Sequence, residues 1–207
     1  MTKLVAWRDL DTPAHLLRVR TYARLLAEQL AASRPFASAL DDEYCQMIYR
    51  TSCLHDIGKR AIPHHVLAKP GRLSRAEYEL VKTHTTIGAA MLDEAIARKP
   101  EGSLLSMART IAATHHERFD GGGYPNGLAG RAIPLCGRIV ALADVYDALT
   151  TRRVYKPAYP HELARSIILR NSGGQFDPSV VGAFLAREDD FRQNQQRLAE
   201  PPIREAA

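Results

Sequence analysis

The run His115-His116-Glu117-Arg118-Phe119-Asp120-Gly121-Gly122-Gly123-Tyr124-Pro125 sets two adjacent imidazoles ahead of three consecutive glycines. Upstream, Leu54-His55-Asp56-Ile57-Gly58-Lys59 puts another imidazole beside a carboxylate within apolar sequence. Histidine and aspartate are costly to bury unless they are paired or coordinate a metal, so this clustering points to a metal site rather than to a packing requirement. His15, His84 and Asp144 are further candidate donors on other apolar-periodic segments. Imidazole and carboxylate ligation without thiolate suits iron, manganese or zinc better than calcium or magnesium. Two such ions about 3.5–4 Å apart would clamp a phosphate and lower the pKa of a bridging water, whose hydroxide attacks phosphorus in line with the leaving oxygen. Lys59, four residues after His55, is placed to stabilise phosphoryl charge or to help the leaving alkoxide. The glycines at 121–123 permit close backbone approach to a ligand, and Tyr124 offers a ring and a hydroxyl beside it.

These donors need a scaffold, and the apolar spacing is helical. Leu16, Val19, Ala23, Leu26 and Leu30 recur at three- and four-residue steps, with Thr12 as N-cap and Pro13 in the first helical position. A second helix is predicted from Asp41 to the His55-Asp56 pair, and Ser74-x-x-Glu77 is a capping box opening a third that carries Leu80, Val81, His84, Ile87 and Met91. A break at Lys99-Pro100-Glu101-Gly102 precedes a fourth over 104–116, ending in the two histidines. After a glycine- and proline-rich loop, Pro134 begins a strongly apolar fifth helix, in which Ile139, Leu142 and Val145 read as core. Two weaker helices are expected over 160–170 and 178–187, the first starting at His161-Glu162. From Glu188 onward the chain is polar and reads as a frayed or disordered tail. With no period-two strand and no repeat, the expected fold is an all-α bundle whose donors converge on its axis. Neighbours on a helix point about 100° apart. The pairs His55-Asp56 and His115-His116 are therefore expected to address different metals, or to have the carboxylate bridge two. Simpler roles are expected for other residues: a local ion pair for Glu117 and Arg118, a turn for Asp120, an exposed loop for His64-His65.

At 207 residues the chain has room for one generous domain. Hydrophobic content of 45% and charged content of 25% fit a soluble globular protein. The net charge of +5 suits an anionic ligand, but the arginines are scattered and no basic tract marks a nucleic-acid polymer as partner. Three cysteines without pairing or zinc-finger spacing read as reduced thiols. No apolar run approaches the roughly 18 residues of a membrane span, and the start does not read as a signal peptide, so a cytoplasmic location without membrane attachment is expected.

Taken together, His55-Asp56-Ile57-Gly58-Lys59, the run 115–125, and Arg138-Ile139 through Asp144-x-x-Asp147-Ala148 to Arg153-x-Tyr155-Lys156 resemble an HD-GYP domain. The resemblance covers 10–187, leaving 1–9 as an N-terminal extension and 188–207 as the polar tail. It implies an HD-domain helical bundle with the metal site at its centre, and a phosphodiesterase that hydrolyses the bacterial second messenger cyclic di-GMP to pGpG and, in some members, GMP. It also implies a binuclear, in some members trinuclear, centre of divalent ions, often iron or manganese. His55, Asp56, His84, His115, His116 and Asp144 would ligate metal, with Asp56 as bridging carboxylate and Lys59 as catalytic lysine. Asp11 and His15 would serve the additional position. There the family's usual glutamate is replaced by the shorter aspartate, and Pro13 sets Asp11 outside the regular helix. Gly123 and Tyr124 of the signature would hold substrate together with Asp147, Arg153 and Lys156, a guanidinium fork and a lysine charge suiting two phosphates. Capping or pairing with an arginine is the alternative role for Asp147. The resemblance leaves two other functional readings, a catalytically weak module that binds cyclic di-GMP or a partner, and a phosphohydrolase for other nucleotides. A dimer or a signalling protein is the candidate macromolecular partner. No sensor or receiver segment is legible, so regulation is expected through expression, a partner or a segment outside these residues.

Overall fold

The computed structural model describes residues 12–33, 36–37, 40–98, 103–152 and 157–198. The helices along them are α1 (Pro13–Ala31), α2 (Asp42–Thr51), α3 (His64–Leu67), α4 (Arg75–Lys82), α5 (His84–Arg98), α6 (Ser103–Thr114), α7 (Leu135–Thr150), α8 (His161–Arg170), α9 (Pro178–Ala186) and α10 (Glu188–Arg197). Among the described residues no strand forms, only the isolated bridges Asp120–Ala129 and Ser172–Phe176. No helix of these residues is long and apolar enough to cross a membrane. None of the three cysteines is in a disulfide.

The local signals act as expected. The Thr12 hydroxyl accepts the His15 amide at 3.1 Å, and Pro13 fills a position whose N–H has no helical partner. Ser74 and Glu77 satisfy each other's backbone donors at the start of α4. α7 is buried on every side from Ile139 to Thr150, so it has to be a central helix, with α1, α6, α8 and α9 packed on it. Val19, Tyr22 and Leu26 of α1 and Val180 and Phe184 of α9 belong to the same core as Ile139, Leu142 and Tyr146 of α7. That core carries Asp144 inward at the heart of the bundle, where it is 4% exposed.

Three expectations are corrected. The second helix stops at Thr51 and tightens into 3-10 turns over Ser52–Leu54 and Ile57–Ala61, which leaves His55 and Asp56 in the turn between them. The third helix divides at Thr83, whose hydroxyl and amide both donate to the Leu80 carbonyl, at 2.6 Å and 3.1 Å. This local bonding competes with the helical ladder, and His84 starts a new helix. The supposed tail is a helix over Glu188–Arg197. Acidic residues fill its first turn and Arg197 its last, matching the helix dipole. Its one large apolar residue, Phe191, is wholly buried, stacked on Tyr22 with centroids 4.5 Å apart and edge-on to Tyr146 and Phe184 at 5.0 Å. A single aromatic sets no period, and it is tertiary burial that holds this helix. The remaining tail residues, 199–207, and the extension 1–9 lie outside the described residues. His64 and His65 are exposed as expected, but on the short helix α3 rather than a loop.

Candidate metal centre

The donors fall into two groups. Asp56, His84, His115 and His116 each offer a ligand atom within 4.8 Å of the others, and His15, His55 and Asp144 do the same. Asp56 belongs between them. Its Oδ1 lies 3.0 Å from His84 Nε2 and 3.6 Å from His115 Nε2. Its Oδ2 lies 3.3 Å from His55 Nε2 and accepts from the buried Lys59 ammonium. In the second group Asp144 Oδ1 is 3.8 Å from both His15 Nε2 and His55 Nε2. Asp56 has φ −104° and ψ 15°, in the sparsely populated bridge region where many active-site residues sit. Burial works against its charge, but Lys59 and the rings of His55 and His84 outweigh that and hold the carboxyl well below the usual range.

His55 joins the second group while Asp56 stands between the two, the bridging arrangement that is one of the two options for this pair. His115 and His116 do not divide: both join the first group. The helical angle between neighbours fails there because α6 ends at Thr114 and the pair lies in the turn beyond it, with ring centroids 4.1 Å apart.

Imidazole hydrogen bonds test whether a cation fits. His55 Nδ1 donates to the Ser52 carbonyl at 2.8 Å, His84 Nδ1 to Val81 at 2.6 Å and His115 Nδ1 to Ile111 at 3.0 Å. Carbonyl oxygens only accept, so Nδ1 carries a proton in each ring and Nε2 is the nitrogen turned inward, toward the carboxylate. Burial holds both His115 and His116 below the ordinary imidazole pKa. The Nε2 atoms of His84 and His115 face each other at 3.4 Å. A cation between them and Asp56 would take both nitrogens as donors, and a backbone carbonyl on the other ring nitrogen is the usual outer support of a metal-binding histidine.

Gly58 lets the Asp56-bearing turn meet α5. A Cβ there would stand 2.0 Å from the His84 carbonyl oxygen. Gly58→Ala is expected to drive that turn off α5, to cost about 1–3 kcal/mol of stability and to reduce bound metal. Thermal unfolding with and without chelator, together with metal analysis, checks it, and an unaltered variant would contradict the geometry.

The glycine loop closes over His116. The Tyr124 amide donates to the His116 carbonyl at 3.2 Å, and its ring stacks on His116 with centroids 4.8 Å apart. Burial raises the Tyr124 phenol well above its ordinary pKa, so it stays a hydrogen-bond donor. Gly123 packs on the backbone of Glu117 and Arg118, where a Cβ would lie 2.3 Å from the Arg118 nitrogen. Glu117 and Arg118 do not pair with each other. Glu117 is buried and accepts the amides of Asn126 and Leu128 at 2.8 Å and 3.0 Å, while Arg118 pairs with Asp120. A carboxylate that accepts two loop amides supports the turn better than a surface ion pair would.

Of the substrate-binding candidates, Asp147 lies buried behind the centre, paired with Arg18 and accepting from His15 Nδ1. Arg153, Lys156 and Asp11 lie outside the described residues. The sequence reading missed Arg18, although an arginine three residues after His15 in the apolar phase of α1 is a signal. It also missed Lys82, whose ammonium sits 5.5 Å from the centroids of the Tyr78 and Tyr124 rings.

With this geometry in hand, known proteins give the context. A family model described as HD domain matches residues 11–180. The chain belongs to the HD domain family. This HD domain is 49% identical over 191 residues to a cyclic di-GMP phosphodiesterase of Vibrio cholerae, covering 92% of the chain and 39% of that protein. It is 38% identical to a 3'3'-cGAMP-specific phosphodiesterase 2 of the same organism, covering 92% of the chain and 34% of the relative. The chain therefore spans less than half the length of these curated relatives. In fold it is similar to an HDGYP protein of Bdellovibrio bacteriovorus, with a TM-score of 0.62 and 20% identity over 84% of this chain and 51% of that one. The HD-GYP resemblance and the all-α bundle expected from the sequence agree with these matches.

Proposed function

We propose that this HD domain is a metal-dependent phosphodiesterase that hydrolyses cyclic di-GMP to pGpG, in the cytoplasm. One observation carries the reading: the two oxygens of Asp56 address two separate donor groups, as a binuclear centre requires. Asp56, His84, His115 and His116 would hold one ion, and His15, His55 and Asp144 the other, with iron or manganese as the metals. When bound, such a pair supplies Lewis acidity toward a phosphate and an acidified water. The chain's own groups do the rest. Lys59 places a cation beside the bridging carboxylate, where it stabilises charge on the phosphoryl oxygens and protonates the leaving alkoxide. Tyr124 presents a ring face for a base and a protonated hydroxyl for a phosphate oxygen. Arg153 and Lys156 would meet the second phosphate of the ring. A dimer or a signalling partner belongs to the same reading.

Anaerobically purified, manganese- or iron-loaded protein should convert cyclic di-GMP to pGpG, resolved by chromatography. Absence of turnover with two ions bound per chain would refute the reading. The similarity to a cGAMP-specific relative favours one alternative substrate, 3'3'-cGAMP. Both dinucleotides run side by side decide between them through kcat/KM. A non-catalytic binding module is the weaker reading, because seven histidine and aspartate donors gather into two groups.

A further inference from the structure

Among the described residues the last helix lies beyond residue 180, where the HD domain match ends, yet buried side chains link its C-terminal end to His15. The Leu198 carbonyl, just past α10, accepts from Arg18 Nη1 at 2.9 Å. The same guanidinium donates from Nε to Asp147 Oδ1 at 2.5 Å and from Nη2 to Asp147 Oδ2 at 3.1 Å. Asp147 Oδ2 also accepts from His15 Nδ1 at 2.8 Å, and the far nitrogen of that ring faces Asp144. Arg18, Asp147 and His15 are all buried.

We propose that Arg18 and Asp147 are positioning residues that couple the C-terminal end of α10 to the His15–His55–Asp144 half-site. The carboxylate fixes the His15 tautomer and makes Nε2 a stronger donor, as outer partners of metal-binding histidines do. The bidentate guanidinium stops that carboxylate from turning. The guanidinium in turn is held by a carbonyl at a helix C-terminus, where acceptors lack helical partners and the dipole favours a cation. Gln195 Nε2 donates to the Thr150 carbonyl at 3.3 Å and ties the same turn to the end of α7. Coupling between sites is reciprocal, so an ion in the second half-site steadies the last turn of α10, and fraying of that turn loosens His15.

The inference rests on reading His15, His55 and Asp144 as ligands, and the experiment separates the two. The 207-residue chain and its Arg18→Met and Arg18→Lys variants are loaded anaerobically with manganese and analysed for metal per chain, with Arg24→Met, a half-exposed position of α1, as control. Wild type and control should hold two ions. Arg18→Met should keep one and bind the second about 10–100-fold more weakly, with Arg18→Lys between. Amide exchange over 188–198 should slow about fivefold or more on adding manganese to wild type, and not at all in Arg18→Met. The wild-type half of this second readout needs no variant to fold. Two tightly bound ions in folded Arg18→Met, or exchange in wild type that ignores manganese, overturns the coupling alone. Fewer than two ions on wild type overturns the ligand reading and the coupling with it.

Discussion

Asp56→Asn is expected to empty both half-sites and to lower phosphodiesterase turnover by about 10²–10⁴-fold. Loss even of an outer partner weakens metal binding by about 10–100-fold, and Asp56 serves two groups at once. His84 and His115 lie 3.0 Å and 3.6 Å from one of its oxygens and His55 3.3 Å from the other, so no neighbouring side chain can replace it. The substitution also takes away the carboxylate that pairs with the buried Lys59 ammonium. Removing one partner of a buried ion pair costs about 3–5 kcal/mol, and chemical denaturation in chelator should show that loss. Adding Lys59→Met should recover stability and no activity. Metal analysis is the decisive measurement: two ions retained by Asp56→Asn would dismiss its bridging role.

Phe191→Ala is the other large effect. Its ring fills the space between Tyr22, Tyr146 and Phe184, and deleting a wholly buried phenylalanine costs about 3–5 kcal/mol. The urea midpoint should fall accordingly with an unchanged slope. Arg192→Ala, on the exposed side of the same helix, should stay within about 0.5 kcal/mol of wild type. If both variants behave alike, α10 is not part of the core.

Much of the site was legible because buried polar residues stand out in apolar sequence. His15, His55, His84 and Asp144 interrupt helical stripes, and every such interruption needs a partner or an ion. Their division into two groups was not legible. It depends on α1, α5 and α7 meeting around the turn at His55-Asp56, and that turn leaves the helical period that the apolar spacing suggested. The His115-His116 pair shows the same limit, since the angle between neighbours follows from where α6 stops. Glu117 gave no sign of its role, because a loop has no period to betray which amides will turn toward it.

The run of imidazoles, glycines and Tyr124 and the His-Asp-x-x-Lys segment by themselves marked residues that could hold a metal, since donor types narrow the metal class whatever the fold. Caps at Thr12 and Ser74 and the all-apolar α7 were likewise written locally, in hydrogen bonds spanning three or four residues and in the burial of a helix with no polar face. Only the tertiary structure decided which histidines fall on either side of Asp56, that Arg18 backs His15 through Asp147, and that a polar segment with one phenylalanine becomes a core helix. Those outcomes depend on pairing and burial between segments far apart in the chain, such as Arg18 with Leu198. No local period encodes such contacts, because their free energy exists only once the bundle has closed.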